Sequence, residues 1–328
     1  MKSDSEVIFE IKDLKKWFPF RTGLLSSLSG KKEYVKAVDQ ISLSIKKGEV
    51  VCLVGESGSG KTTVARLILR LEDVTEGEII YKGTDITKLK QSEIRKLRRN
   101  MQIVFQNPYE SLDPRMTIFE IISEPLHVMK VCPRSEIMGR VAKALEDVGL
   151  VPVEEFSFRF PHELSGGQRQ RVSIARALIV DPEFIIADEP ASMLDANTRI
   201  EILNLLEDLQ ENYKMGILFI THDLAQARYL GDTLIILYLG KIIEKGDIEL
   251  VISSPHHPYT KALISNVPIP DPDAKRQRIE ITGEIPTAIR LPLGCRFSPR
   301  CPFVFEKCLE KEPELLMKQG RLSACWLD

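Results

Sequence analysis

The residues best suited to chemistry in this sequence lie in one glycine-rich stretch, Gly55-Glu56-Ser57-Gly58-Ser59-Gly60-Lys61-Thr62. The stretch matches the pattern G-x-x-x-x-G-K-[ST] at every fixed position. Glycines in such a loop allow backbone N–H groups to turn toward phosphate oxygens, and the start of a following helix adds positive potential. We therefore expect Lys61 to reach the β- and γ-phosphates of a nucleotide and the Thr62 hydroxyl to ligate Mg²⁺. The predicted nucleotide-binding residues of this loop are Gly55, Ser57, Gly58, Gly60, Lys61, Thr62 and Thr63.

The segments on either side of this phosphate loop agree with that interpretation. Residues 50–54 are an apolar run of the length of a buried strand. After the loop, Val64, Leu67, Ile68 and Leu71 are spaced as on one face of a helix. Strand, glycine loop and helix in this order are the context that the motif requires. The alternative, a glycine-rich turn that matches by accident, is disfavoured because the specified residue types rarely coincide.

A second acidic element stands at the end of another apolar run, Phe184-Ile185-Ile186-Ala187-Asp188-Glu189. At the end of a strand, Asp188 can hold Mg²⁺ through water, as the acidic element of phosphate-loop ATPases does. Glu189 is then placed to polarise the attacking water. The alternative is a surface Asp-Glu turn, and it would be preferred if the phosphate loop were missing.

A third motif is Leu164-Ser165-Gly166-Gly167-Gln168, which predicts a helix that begins after Ser165 and runs through Leu178. A serine hydroxyl, glycine amides and a helix N-terminus make a second anion site. One chain does not need two sensors of the γ-phosphate, so this site is expected to complete ATP that is bound to another subunit. A capped helix without a ligand is the alternative.

Taken together, residues 7–250 resemble the ATP-binding subunit of ABC transporters, and the Leu-Ser-Gly-Gly-Gln motif is the most specific part of the resemblance. The resemblance implies that Gln106 contributes to the Mg²⁺ site and links it to the transmembrane partner. It also implies that Asp195 touches the opposite subunit and that His222 contacts the γ-phosphate. Phe18 falls where an aromatic ring stacks on adenine, with Trp17 as the alternative. The catalytic residues implied are Glu189, His222, Gln106 and Lys61, and the Mg²⁺ residues are Thr62, Gln106 and Asp188.

The fold class predicted is α/β, an ABC cassette of the P-loop NTPase type. Apolar strands that alternate with helices indicate a largely parallel sheet covered on both faces. The resemblance implies a mixed core sheet, a β-rich subdomain and a helical subdomain at about residues 86–160. Helical spacing at Ile202, Leu205, Leu206 and Leu209 and an apolar run at residues 216–220 continue the alternation.

The composition changes near residue 267, where a proline-rich connector, residues 267–273, precedes a small C-terminal part. Residues 254–260 and 294–302 are similar to the C-terminal extension of ATPases that serve oligopeptide, dipeptide and nickel importers. We define residues 251–328 as the extension. The insertion from Arg21 to Tyr34 and the Ser111–Arg115 stretch resemble the second, F-type ATPase of such pairs. Relatives with this extension also import oligosaccharides, so sugar or nickel cargo is the alternative to peptides.

Four of the six cysteines lie in the extension: Cys295, Cys301, Cys308 and Cys325. In a cytosolic protein such a cluster indicates a metal rather than disulfides. Four thiolates can hold a [4Fe–4S] cluster or a tetrahedral zinc ion. The resemblance and the wide spacing favour the iron–sulfur cluster, with Zn²⁺ as the alternative.

Net charge and hydropathy argue against nucleic-acid-binding, membrane-spanning and secreted proteins. The net charge of −2 provides no basic footprint for nucleic acid. No apolar run reaches the roughly 18 residues that a membrane span requires, and residues 1–6 open no signal peptide. We therefore expect a soluble, cytoplasmic chain, and the resemblance implies that it lies peripherally on the cytoplasmic face of the cell membrane. The partners implied are a paralogous ATP-binding subunit, two transmembrane permease subunits and an extracytoplasmic substrate-binding protein. A soluble ABC-type ATPase that acts on nucleic acid or the ribosome is the distant alternative.

Overall fold

The computed structural model describes residues 6–20, 33–267 and 279–327, apart from residues 280, 282 and 285. Residues 21–32 of the predicted insertion and residues 268–273 of the predicted connector lie outside the described residues. The chain folds as two compact units. The first contains the residues up to Ile8, then Ile45–Val50 and Lys88–Ile220. The second contains Phe9–Ser44, Val51–Thr87 and the residues from Thr221 onward.

The strands of the described residues alternate with helices through most of the chain. They are β1 (Val7–Phe20), β2 (Glu33–Lys46), β3 (Val50–Val54), β4 (Glu76–Tyr81), β5 (Thr84–Asp85), β6 (Met101–Val104), β7 (Phe184–Asp188), β8 (Gly216–Thr221), β9 (Thr233–Tyr238), β10 (Lys241–Asp247), β11 (Leu316–Lys318) and β12 (Arg321–Ser323).

The α-helices are α1 (Lys61–Ile68), α2 (Gln91–Leu97), α3 (Pro108–Ser111), α4 (Ile118–Met129), α5 (Arg134–Asp147), α6 (Val153–Ser157), α7 (Gly166–Leu178), α8 (Ala196–Tyr213), α9 (Leu224–Leu230), α10 (Ile248–Ser253), α11 (Pro258–Ser265) and α12 (Glu306–Glu310). Short 3₁₀ helices span Pro161–Glu163 and Ser298–Arg300.

The second unit positions the phosphate loop at the end of β3. This strand is buried at all five residues and pairs in parallel with β9, which continues antiparallel into β10. Two short strands of the extension prolong the same sheet, because β12 pairs antiparallel with β10 and β11 with β12. The other sheet of this unit has the strand order β2-β1-β4-β5, with β4 antiparallel to both β1 and β5. The extension is therefore built onto the edge of the strands that carry the phosphate loop.

The first unit positions the acidic strand end and the Ser165 motif. Strands β6, β7 and β8 are parallel, and all five residues of β7 are buried, as expected of a strand covered on both faces. Helix α8 buries Ile202, Leu205, Leu206 and Leu209, which confirms the predicted apolar face. With the parallel and antiparallel pairs of the second unit, these strands confirm the α/β fold with mixed strand pairing.

Two expectations need correction. The predicted helical region at residues 86–160 contains α2 to α6, but it also contains β6, whose four residues were too few to stand out as a strand. Leu71 does not belong to the apolar face of α1, because the helix ends at Ile68 and Arg70 has a φ of +51°. Leu71 is 46% exposed beyond that end.

Ion pairs with buried arginines join the extension to earlier parts of the second unit. Arg296 contacts Asp39 of β2, and the Arg296 side chain is 6% exposed. Although burial alone would raise the pKa of Asp39, the hydrogen bond and charge of Arg296 lower it. Arg321 pairs at 3.2 Å with Glu244 of β10, and neither side chain is more than 2% exposed. The Glu244 carboxylate also accepts the backbone N–H groups of His256 and His257 at 2.7 and 2.9 Å.

Candidate nucleotide-binding and hydrolysis residues

The phosphate loop has a backbone shape that only glycine allows at its main bends. Gly58 and Gly60 have φ values of +78° and +108°, in the left-handed region. A Cβ atom on Gly60 would lie 2.2 Å from the carbonyl oxygen of Ala37, and one on Gly55 would lie 2.3 Å from that of Leu237. The loop then passes directly into α1. Backbone N–H groups at such a helix start form an anion-binding cradle.

Lys61 lies folded back over this loop. Its Nζ atom donates to the carbonyl oxygens of Gly55 and Glu56 at 2.7 and 3.1 Å, and the residue is 6% exposed. Thr62 is exposed at the first turn of α1, and Thr63 is half-buried. The hydroxyl of Ser59 is buried without a hydrogen-bond partner. The cradle, the cation and the hydroxyls fit a nucleotide phosphate with Mg²⁺, whose preferred ligands are oxygen atoms.

His222 and the two aromatic candidates lie in the same unit as the phosphate loop. His222 is exposed between the end of β8 and α9, where Asp223 caps the helix by accepting from the Ala225 N–H at 2.8 Å. Phe18 is half-buried, with the Lys16 ammonium 4.8 Å from its ring centre. Trp17 donates its indole N–H to Asp39 at 3.0 Å, and Lys36 covers its ring at 4.7 Å. The adenine contact therefore stays a prediction for either ring.

In the first unit, the acidic strand end and Gln106 come together. Asp188 is buried at the end of β7. Glu189, which follows it, has a φ of +48°, an uncommon conformation for a residue with a side chain. Its backbone N–H donates to the Ile220 carbonyl of β8 at 2.8 Å. Gln106 Nε2 donates to the Glu189 carboxylate at 2.9 Å.

Ser192 completes this contact, and the sequence interpretation missed it as a positioning residue. Its hydroxyl donates to the Glu189 carbonyl at 3.1 Å and lies 3.4 Å from Gln106 Nε2. The sequence offers one sign of this role: Ser192 stands three residues after Glu189, a spacing at which serine side chains often bond to the backbone. Glu189 is therefore oriented from both its backbone and its side chain.

The Ser165 motif forms the helix start that was predicted. Ser165 Oγ accepts from the Gln168 N–H at 3.2 Å, and Gln168 Oε1 accepts from the Ser165 N–H at 2.9 Å. This reciprocal pair is a capping box. A Cβ on Gly167 would lie 2.4 Å from Cγ2 of Thr198, so the close packing of α7 on α8 requires glycine there. Gly166 has more room.

Asp195 acts as a helix cap within its own chain. It accepts from the backbone N–H groups of Asn197 and Thr198, both at 3.1 Å, and from the Thr198 hydroxyl at 2.6 Å. The hydrogen bond from the Thr198 hydroxyl, followed by that from its backbone, lowers the pKa of Asp195. Its contact with an opposite subunit stays a prediction.

The four cysteines of the extension are all reduced. Cys295 donates its N–H to the Cys308 carbonyl at 2.8 Å. Burial, together with the nearby Cys308, Cys325 and Cys301, raises the pKa of Cys295 to about 12. Within the described parts of the chain, however, no three His, Cys, Asp or Glu side chains form a group able to hold a metal ion. The structure therefore does not support the predicted iron–sulfur cluster or its zinc alternative.

The fold and these motifs define an ATP-binding cassette of the ABC type. A family model described as "ABC transporter" matches residues 38–192, and one described as "Oligopeptide/dipeptide transporter, C-terminal region" matches residues 243–308. Across the described residues, no helix has the length and apolar character needed to cross a membrane.

Comparison with individual proteins narrows the family assignment. It is 45% identical to the oligopeptide transport ATP-binding protein AppF of Bacillus subtilis (strain 168) over 315 residues. This aligned region covers 95% of this chain and 94% of the relative. It is equally similar, over the same shares, to the dipeptide transport ATP-binding protein DppF of Haemophilus influenzae. The dimeric post-hydrolysis structure of the ATP-binding cassette MJ0796, bound to ADP and Pi, matches 74% of this chain and 99% of its own, with a TM-score of 0.63 and 33% identity. The chain belongs to the ATP-binding proteins of the ABC transporter family, and it is an ATPase.

Proposed function

We propose that this ATPase powers the import of oligopeptides or dipeptides. The observation that carries the proposal is the extension, because residues 243–308 match the C-terminal region of oligopeptide/dipeptide transporters. The relatives named for oligopeptide and dipeptide transport span nearly the whole chain. The complex would contain a paralogous ATP-binding subunit, two permease subunits and an extracytoplasmic substrate-binding protein. The chain would then lie on the cytoplasmic face of the cell membrane.

The cargo is tested with the complete transporter in proteoliposomes. We expect ATP hydrolysis to rise when the binding protein is loaded with short peptides. Nickel-loaded and oligosaccharide-loaded binding proteins provide the matched comparisons. Stimulation by nickel or an oligosaccharide, with none by peptides, would replace the peptide assignment.

For hydrolysis we propose that two ATPases close head to tail around two ATP molecules. The phosphate loop and Lys61 of one chain bind the phosphates, while Ser165, Gly166 and Gly167 of the other chain complete the site. Glu189 orients the attacking water. Thr62, Asp188 and Gln106 would hold Mg²⁺, which would supply positive charge against the phosphates. His222 and Lys61 stabilise the charge that develops on the γ-phosphate. Gln106 donates to the Glu189 carboxylate and Ser192 donates to the Glu189 backbone carbonyl, and this double support favours its catalytic role.

The substitution Glu189→Gln tests that role. The amide keeps the size and polarity of the carboxylate but cannot accept a proton from water. We expect ATP affinity to remain and turnover to fall by at least about a hundredfold. The variant should accumulate as an ATP-bound dimer with its partner subunit. Glu183→Gln, at the residue just before β7, is the control. Turnover close to that of the unmodified protein would refute the assignment.

We further propose that the permease contacts the region around Gln106. A cavity of about 290 Å³ includes Phe105, the neighbour of Gln106 in the chain, and is also lined by Gln102, Glu124, Val128 and Arg176 among others. Phe105 and Val128 are 42% and 52% exposed, an apolar surface beside the Arg176–Glu124 ion pair, whose atoms are 2.7 Å apart. Phe105→Asp should prevent assembly with the permease, whereas Val151→Asp, also at an exposed site, should not. Assembly of both variants would move the contact elsewhere.

For Cys295, Cys301, Cys308 and Cys325 we propose a metal centre, a [4Fe–4S] cluster or Zn²⁺, whose binding would bring together side chains that form no metal-holding group in the described structure. What supports it is the donor set, four reduced cysteines in one small extension, three of which are partly exposed. Anaerobically purified protein should be brown with broad visible absorbance, or colourless with about one zinc ion per chain. Substituting all four by serine should remove the metal and leave ATP binding intact. Metal-free protein after anaerobic purification would refute the proposal.

A further inference from the structure

The extension contacts the phosphate loop itself, through a residue that the loop pattern leaves unspecified. Arg300 forms a two-pronged ion pair with Glu56, with Nη1–Oε2 and Nη2–Oε1 distances of 2.8 and 3.1 Å. The backbone N–H of Glu56 donates to the Tyr259 hydroxyl at 3.1 Å. Both the side chain and the backbone of Glu56 are thus held by residues more than two hundred positions away.

The backbone carbonyl of Glu56 is hydrogen-bonded to Lys61, the lysine of the loop. The Glu56 carbonyl accepts from Lys61 Nζ at 3.1 Å and from the Ser59 N–H at 3.1 Å. Contacts therefore run continuously from the extension, through Glu56, to the group that is expected to bind the β- and γ-phosphates. A displacement of Glu56 would move both the resting contact of Lys61 and the turn that leads into Gly60.

The two supporting residues are themselves firmly placed. Tyr259 is fully buried in the first turn of α11, and its ring centre lies 4.8 Å from that of Tyr238 on β9 and 5.4 Å from that of Phe297. The side chain of Arg300 is 9% exposed. A two-pronged arginine–carboxylate pair is geometrically specific and strongly directional, and here the arginine side is buried. The contact to the loop is thus held by a packed core rather than by a free surface side chain.

We propose that Arg300 and Tyr259 are positioning residues for ATP binding, because they hold the phosphate loop through Glu56 in the shape that receives the phosphates. A loop ordered in advance does not lose that conformational freedom when the nucleotide binds. Arg300 also balances a carboxylate that would otherwise repel phosphate oxygens. The inference rests on the ATPase activity of the chain and is independent of its cargo. It assigns to the extension a direct part in the nucleotide site.

The test measures ATP affinity of the full-length chain by calorimetry and turnover in the assembled transporter. Arg300→Gln removes the ion pair, and Tyr259→Phe removes only the acceptor of the Glu56 N–H. We expect each to raise the Kd and KM for ATP at least about fivefold, while kcat changes little because Glu189 is untouched. Arg290→Gln is the matched control, since Arg290 is an exposed extension residue that pairs at 3.5 Å with Glu33 instead of the loop.

A double variant, Arg300→Gln with Glu56→Gln, separates positioning from charge balance. It leaves no unpaired carboxylate, yet the loop still loses its support, so the Kd should remain raised. Affinity that returns to the unmodified value would show a charge effect only and would overturn the proposal. Unchanged affinity in a folded Arg300→Gln chain would also overturn it. If that variant does not fold, Tyr259→Phe alone decides: an unchanged Kd refutes the proposal and a raised one supports it.

Discussion

The two glycine-containing segments proposed to bind the phosphates of ATP are built in opposite ways. The phosphate loop depends on residues distant in the chain. The carbonyl oxygens of Ala37 and Leu237 leave no room for a side chain at two of its glycines. Tyr259 and Arg300 form hydrogen bonds with Glu56. The start of α7 depends on its own neighbours, because Ser165 and Gln168 cap each other. The comparison shows that similar anion-binding motifs differ in the source of their order. One is shaped by tertiary structure, and the other is a local capping box.

The largest expected effect concerns the locally ordered site. Ser165→Arg should leave ATP binding by the isolated chain unchanged. Under the proposed head-to-tail arrangement, it should lower hydrolysis in the assembled transporter by at least about a hundredfold, because Ser165 would serve the nucleotide of the neighbouring subunit. Ser165→Asp keeps a capping oxygen but places negative charge against the γ-phosphate, so hydrolysis should fall while folding is preserved. Loss of ATP binding by the isolated Ser165→Arg chain would contradict the assignment to the opposite subunit.

Lys61→Ala tests the site that is ordered from a distance. The variant removes a cation from the phosphates, and the Gly55 and Glu56 carbonyls lose the hydrogen bonds that Lys61 donates. We expect the Kd for ATP to rise by about one to two orders of magnitude, measured by calorimetry. Lys12→Ala, at an exposed position of β1, is the control and should bind ATP normally. An unchanged Kd for Lys61→Ala would count against the phosphate-loop assignment.

The position of each motif could be predicted from the sequence, because the strand or helix beside it follows a pattern of neighbouring residues. The strand before Gly55, the cap at Ser165 and the strand that ends at Asp188 are local patterns, and the structure confirms each of them. Glu56 and Arg300 could not be paired, because no spacing rule relates residues so far apart. The short strand β6 was missed for a related reason, since it is recognised by its pairing with β7 rather than by its length.

Acidification should weaken the packing beneath the phosphate loop. Burial, with smaller contributions from His256 and Lys261, lowers the pKa of His257 to about 3, whereas an unfolded histidine has a pKa near 6.5. The unfolded state binds more protons between these values, so stability is complete above about pH 6.5 and falls as the pH decreases. Between pH 6.5 and 5 we expect the free energy of unfolding to fall by about 2 kcal/mol.

Urea unfolding at both pH values measures this loss, and His257→Asn supplies the comparison. Asparagine can also cap α11, where His257 Nδ1 accepts from the Tyr259 N–H at 3.0 Å, but it does not titrate in this range. The variant should therefore lose less stability on acidification. An equal loss in both proteins would assign the pH dependence to other groups.

The last substitution concerns the packing of α7, the helix that Ser165 caps, against α8. Gly167→Ala would place its Cβ 2.4 Å from Thr198 Cγ2 and should reduce stability by about 1–3 kcal/mol in urea unfolding. Gly139→Ala is the control, because a Cβ there on α5 meets nothing within 4 Å and should stabilise the helix slightly. If Gly167→Ala were as stable as Gly139→Ala, the contact of α7 with α8 would impose no size limit.

The three arginine pairs of the extension have a consequence for any attempt to divide or recombine this chain. Asp39, Glu56 and Glu244 stand on three different elements, and each meets its own arginine: Arg296, Arg300 and Arg321. A chain cut after α10 would keep all three acids and lose all three bases, and two of the acids are almost completely buried. An extension grafted from a relative would have to bring arginines at the same places. The last quarter of the polypeptide is thus an integral part of the ATPase and cannot be exchanged as a detachable module.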